Sequence, residues 1–331
     1  MWSLTHYLLR HRWQALILTF LITYIPVLGM ASILVAALFT LCAGVLEGAL
    51  FTLVATLPYL LIFLVSNTQE AEVFTMMTFA AAILTVTSNT LTYVFTVLLR
   101  RHWSWSAILQ IAALVGVLVI SVIHLAYPDV GEWWGRQLTL FYNQATDLSG
   151  AKPVSGELLE GNQLDTINTV KSFATGMVVS FVLFTAVVQV MLARWWQVAI
   201  VNRGRMGKEL FYIRLSRLAG VLFFASIIFC YLENRVALDI LPVLCLLFGA
   251  AGLSLIHYLC GLMDASRGRF WLTMLYLALM YSLAMIAMLT VLNVMLPVML
   301  AVLILTISLF AFVTLGFFDV WFDLRRRSRK V

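Results

Sequence analysis

Residues 193–220 read ARWWQVAIVNRGRMGKELFYIRLSRLAG. Six Lys/Arg (Arg194, Arg203, Arg205, Lys208, Arg214 and Arg217) and the adjacent Trp195 and Trp196 stand there between two long apolar runs. A chain threading a bilayer requires this alternation. Tryptophan settles at headgroup level, and Lys/Arg collect on the cytoplasmic side, where each gains about 1 kcal/mol beside an anionic leaflet. Composition points the same way: with 63% hydrophobic and 11% charged residues, and a mean hydropathy of +1.00, 331 residues cannot hide their apolar side chains in a soluble core. The sequence predicts an all-α, polytopic helical membrane bundle.

A hydrocarbon core ~30 Å thick needs about 20 apolar residues per crossing. Candidate runs lie near 13–28, 29–44, 47–66, 73–99, 107–127, 171–193, 218–233, 239–262, 270–290 and 296–320, about ten transmembrane helices in all. The stretch 13–44 is long for one span and short for two. Pro26 and Gly29 fall within it, where proline removes a donor and glycine permits a turn, so a short, tilted or re-entrant hairpin is expected. The first run is too long for a signal-peptide core and no small-residue cleavage site follows it, so no cleavable signal is expected. The chain divides into N-terminal membrane helices (1–127), an extracytoplasmic segment (128–170) and C-terminal membrane helices (171–331) that include the basic connector 194–217. Gly204 and Gly207 predict a turn at 203–207 in that connector, followed by an interfacial helix over 208–217.

Charge orients the bundle. With ten crossings, Arg10, Arg12, Arg100, Arg101, the connector's six, Arg267, Arg269, Arg325, Arg326, Arg327, Arg329 and Lys330 all fall on one side, 17 of the 21 Lys/Arg. The other side keeps Arg136, Lys152, Lys171 and Arg235, among Glu70, Glu72, Asp129, Glu132, Asp147, Glu157, Glu160, Asp165 and Glu233. The positive-inside rule then makes both termini cytoplasmic. All ten tryptophans, from Trp2 and Trp13 to Trp271 and Trp321, fall at or just beyond span ends as an aromatic belt. On the outer side, Trp134, Leu138, Phe141, Ala145 and Leu148 step by four and three. That predicts one amphipathic outer-surface helix, lying on the leaflet or capping the bundle.

Polar groups inside spans are costly and are therefore candidates for function. Glu47 sits between Gly44 and Gly48, a GxxxG that Ala36 and Thr40 extend into a ladder of small residues. Close helix packing, with Glu47 paired to Arg100 or Arg101, is its plainer use. Asn89, Gln110, Gln189 and Asn293 are amides within apolar runs, able to bond helix to helix or to line a polar cavity. Asp323 is expected to pair with Arg327, and Asp319 with Arg326 or with the connector. His124 and His257 fall at opposite sides and read as packing or interfacial residues. Cys42, Cys230, Cys245 and Cys260 lack CxxC or CxxH spacing, so neither disulfide nor metal nor any other cofactor is expected. There is no GxSxG, HExxH, Walker A or GxGxxG, which weakens enzyme readings. The connector residues Arg194, Trp195, Trp196, Arg203, Arg205 and Lys208 read first as a lipid-facing surface and second as a docking face for a cytoplasmic protein. Nucleic acid is not expected, because the aromatics are committed to the interface.

HRWQALILTF (11–20), LCAGVLEGAL (41–50) with Pro58, the connector, and GFFDVWFDLRRR (316–327) together resemble the YybS-like group of bacterial inner-membrane proteins of unknown function. The positions that carry the resemblance are Arg12, Trp13 and Gln14; Gly44, Glu47 and Gly48; and Asp319, Trp321, Phe322, Asp323 and Arg325. The connector departs from that group's Pro-Gly-Gly, having NRGRMGKE instead. The group is distantly similar in fold class to the substrate-binding subunits of energy-coupling-factor transporters. That analogy implies binding of a small solute and carries no residues over. The expected function is small-solute binding or transport in the bacterial inner membrane, with helix 131–148 as a lid. The alternative is a non-catalytic scaffold or assembly factor that recruits a cytoplasmic partner.

Overall fold

The computed structural model describes residues 7–8, 10–25, 29–66, 72–149, 167–201, 205–262, 274 and 295–325. Among these the chain is helical, without strands: α1 (Arg12–Thr23), α2 (Gly29–Cys42), α3 (Val45–Ser66), α4 (Glu72–Arg100), α5 (Trp105–Ala126), α6 (Val130–Ser149), α7 (Ala174–Val201), α8 (Arg205–Leu210), α9 (Arg217–Tyr231), α10 (Arg235–Leu262) and α11 (Met295–Phe322). Five helices are long and apolar enough to cross a membrane, over Val45–Ile62, Phe79–Arg100, Trp105–Ala126, Ala174–Ile200 and Arg235–Leu262. Between 28% and 44% of each of these windows is buried inside the protein. Arg12–Thr23, Ala31–Cys42, Arg217–Tyr231 and Ser308–Phe322 are shorter apolar helices. The expected span 270–290 lies outside the described residues.

The chain folds as two units. The first takes Met1–Leu109 and Phe181–Glu209, and the second Gln110–Ser180 and Leu210–Val331. In the first, α1 and α2 are separate helices of 12 and 14 residues, in line with a short hairpin over 13–44. Leu8, Ala15, Ile33, Val35, Ala36, Phe39 and Phe51 form the core where α1, α2 and α3 meet, with the Phe39 and Phe51 rings stacked at 3.8 Å. The small-residue ladder is not the face of one helix. The chain turns at 43–44, where the Gly44 N–H bonds the Phe39 carbonyl, and the ladder folds upon itself. Gly48 on α3 then lies against Thr40 on α2, so close that a Cβ there would stand 1.9 Å from Thr40 Oγ1. Arg100 at the end of α4 caps the end of α2, donating from one nitrogen to the Thr40 and Leu41 carbonyls at 2.7 and 2.9 Å.

The second unit is built around the crossing of α10 and α11. Gly252 and Gly316 let the two backbones meet: a Cβ on Gly252 would stand 1.8 Å from the Phe312 carbonyl oxygen. Phe223, Phe248 and Phe317 pack beside this crossing. The interfacial helix expected over 208–217 does not form. Helix α8 ends at Leu210, residues 211–216 are non-helical, and Ser216 caps the start of α9 by accepting from the Ala219 N–H at 3.3 Å. A side chain that caps the next helix ends the turn before it.

Gly48 and Gly44 therefore respond oppositely to the same change. Gly48→Ala drives a methyl into Thr40 and is expected to destabilise the α2–α3 pair by about 1–3 kcal/mol. Gly44→Ala meets open space and is tolerated. Thermal unfolding of the two variants in detergent measures the contrast.

Candidate functional site

Two helical faces and residues of two further helices of the first unit enclose a half-open pocket of about 160 Å³. From α4 come Leu84, Thr85, Ser88 and Asn89, and from α7 Phe181, Val182, Thr185 and Gln189. Both sets step by one and three or four, the spacing of a single helical face. Gly29 and Ile33 of α2 and Tyr59 of α3 complete the wall. Among the described residues no charged side chain lines it. Asn89 donates from Nδ2 to Thr56 Oγ1 at 3.1 Å, and the Gln189 amide meets Thr92 Oγ1 at 2.6 Å, joining α7 to α4. Ser88 is only 8% exposed, and its hydroxyl has no partner among the described residues.

The pocket thus unites two of the five residues expected to bind solute, Asn89 and Gln189. The other three are elsewhere. Glu47 bonds to Arg12 at the start of α1, not to Arg100 or Arg101, because Arg100 is held by the α2 carbonyls. Gln110 belongs to the second unit, where its carbonyl accepts from the Ser216 hydroxyl at 2.6 Å and pins the end of the connector. Asn293 lies outside the described residues.

The connector is more inward-looking than its charge suggests. Arg194 grips Glu209 with two nitrogens, at 3.1 and 2.5 Å, and Gln197 with a third at 2.7 Å. Trp105 also donates to Glu209, at 3.4 Å. This is the fork geometry that suits arginine to a carboxylate, and it holds Arg194 away from lipid or partner. Trp195 is 53% exposed, whereas Trp196 is half-buried. Arg205 and Lys208 lie in α8, and Arg203 lies outside the described residues.

Two polar clusters of the second unit were not legible as such. Arg326 and Arg327, partners expected for Asp319 and Asp323, lie outside the described residues. Asp323 takes a left-handed backbone (φ 48°), and α11 stops at Phe322. Asp319 therefore meets Arg325 at 3.0 Å, and Asp323 meets Arg214 at 3.1 Å. Arg325 is 7% exposed. It donates also to the carbonyls of Phe211 and Ile213 and to Ser254 Oγ, and it lies over the Tyr258 ring. Burial pulls its guanidinium below the ordinary value, and Asp319 opposes that pull.

At the other end of α10, Asp239 is 2% exposed and accepts from the Gly176 N–H at 2.8 Å. Its second oxygen meets His124 Nε2 at 2.7 Å. Sequence reading passed over Asp239 because it sits five residues into a helix that begins at Arg235. An acid that deep in an apolar run was the available signal. Close by, Glu132 with Lys171 (3.1 Å) and Trp134 with Thr175 (2.9 Å) tie the start of α6 to the residues leading into α7. Among the described residues no three His, Cys, Asp or Glu side chains gather as metal ligands.

Comparison with known proteins adds no assignment: no family model, no curated protein and no solved structure matches this chain.

Arg325 bonds four groups of its own unit, so its removal orphans a buried carboxylate and two backbone carbonyls. Arg325→Ala is expected to cost about 3–5 kcal/mol, whereas truncating the exposed Trp195 to Ala should cost far less. Denaturant unfolding followed by tryptophan fluorescence, with Arg325→Lys as an intermediate case, measures the difference.

Proposed function

We propose that this chain binds and moves a small solute across the inner membrane of a bacterium, using the pocket between α2, α3, α4 and α7. The observation that carries this reading is the convergence of Ser88, Asn89 and Gln189, uncharged polar groups midway along apolar helices, on one cavity. Interhelical hydrogen bonding alone would leave such groups paired with each other; a ligand site leaves capacity unused. Ten crossings with both termini cytoplasmic, and α6 as an outer-surface helix, belong to the same proposal. Its support is the one-sided distribution of Lys/Arg and the resemblance to the YybS-like group. The scaffold reading is weaker, since Arg194, Arg214 and Arg325 are engaged in internal ion pairs that a docking partner would have to break. An acid–base role for Glu47 is weaker still, with Arg12 already on it.

The solute reading predicts that the purified chain melts higher with some member of a broad metabolite panel, and that Asn89→Leu and Gln189→Leu each abolish that shift. Absence of any shift, with nothing retained in native mass spectrometry, removes it. The topology is checked separately. Thiols placed beside Arg205 or Arg327 in intact cells should resist an impermeant reagent, and a thiol at Asp147 should react.

A further inference from the structure

At Thr92 one proton has two contacts to serve. The hydroxyl oxygen lies 2.8 Å from the Ser88 carbonyl oxygen and 2.6 Å from Gln189 Oε1. A hydroxyl donates once and accepts through its lone pairs, so with Oε1 in that position one pair of oxygens would meet with no hydrogen between them. The oxygen and nitrogen of a side-chain amide are assigned by their hydrogen-bond network. Turned over, the Gln189 amide donates from Nε2 to Thr92, Thr92 donates to the Ser88 carbonyl, and each contact has its proton. Asn89 already follows this pattern: its Nδ2 donates to Thr56, which donates to the Thr52 carbonyl at 2.7 Å.

Both amides thus commit one N–H to a threonine, and both line the pocket with a carbonyl oxygen and a second N–H still uncommitted to those threonines. Thr85 and Thr185 commit their protons to the Ala81 and Phe181 carbonyls, each at 2.8 Å, and keep lone pairs. Ser88, buried and without a partner among the described residues, adds a fifth oxygen. Five oxygens thus stand against three uncommitted protons, the second N–H of each amide and the Ser88 hydroxyl; among the described residues the wall holds no cation and no carboxylate and is otherwise apolar through Ile33, Leu84, Phe181 and Val182.

We infer that the pocket takes the ammonium end of a small primary amine, with its short alkyl tail against those apolar side chains. The inference rests on the solute-binding reading above and names the class of solute. An ammonium brings three donors and no acceptor, the complement of this wall. An alcohol offers one donor, and a carboxylate, with none, could use only the three uncommitted protons and would set its lone pairs against the remaining oxygens. At roughly 30 Å³ for each water-sized group, a pocket of about 160 Å³ suits a chain of about four carbons.

The full-length chain in nanodiscs, titrated calorimetrically at pH 7 with n-butylamine, 1-butanol and butyrate, tests this. Butylammonium is expected to bind at least tenfold tighter than butanol, and butyrate not measurably. Thr85→Val and Ser88→Ala each delete an acceptor at nearly constant volume and should weaken the amine severalfold. Gln189→Glu should tighten it, a gain that a misfolded variant cannot mimic. If butanol or butyrate binds as tightly as the amine, or if amine binding ignores these substitutions, the assignment of class is overturned while a solute pocket can still stand. Should none of the three bind, the metabolite panel decides: a retained compound without an ammonium overturns the class, and no retained compound at all removes the solute reading itself.

Discussion

In an apolar helix bundle each hydroxyl proton has one nearby destination, the carbonyl one turn back, and much of this chain's chemistry follows from that. Thr19, Thr23, Thr40, Thr52, Thr56, Thr85, Thr90, Thr92, Thr96 and Thr185 all lie within bonding distance of the i−4 carbonyl. The bond removes a donor that hydrocarbon would penalise and turns the threonine into a net acceptor. Amides that pack against such threonines must donate to them. A helix face bearing Ser, Thr, Asn and Gln is therefore not neutral in its preferences, although no residue on it is charged.

Helix location was largely legible, because length and hydropathy act locally and strongly. The expected runs 47–66, 73–99, 107–127 and 239–262 fall on α3, α4, α5 and α10 within a few residues. What sequence could not supply was partnership between distant segments. Asn89 and Gln189 are 100 positions apart, and each could as well have bonded another neighbour. Glu47 had three arginines within plausible reach. Its choice of Arg12 was decided by the turn at 43–44, which sends α3 back along α2 and leaves Arg100 over the open end of α2. The ladder misled for the same reason: its spacing is periodic, but Gly44 ends a helix, so periodicity across it has no physical meaning.

The arginines show a second use for residues that hydropathy counts only as topology signals. A helix end leaves four carbonyls without intrahelical donors, and inside a bundle water is not at hand to serve them. Arg100 supplies two donors to the end of α2, and Gln197 adds a third at 3.3 Å to the Leu41 carbonyl. Arg325 does the same for the non-helical stretch after α8, bonding Phe211 and Ile213 while Ser254 takes the Leu210 carbonyl at 2.5 Å. Guanidinium suits this work better than ammonium, since its fork reaches two or three acceptors from one fixed plane.

These caps also explain why 211–216 can run without helix between α8 and α9. An irregular backbone packed inside the protein survives only where other groups satisfy it. Here Arg325 closes it from one side and Ser216 caps the helix that follows, with Gln110 holding Ser216 in turn. Arg325 reaches that position only because Asp323 adopts a left-handed backbone and ends α11. Residues from three distant parts of the sequence, Gln110, Ser216 and the pair Asp323 and Arg325, thus depend on one another for a single feature, and the basic, tryptophan-flanked connector is in part an internal strut. Its charge is read too simply if every cation is assigned to the membrane surface.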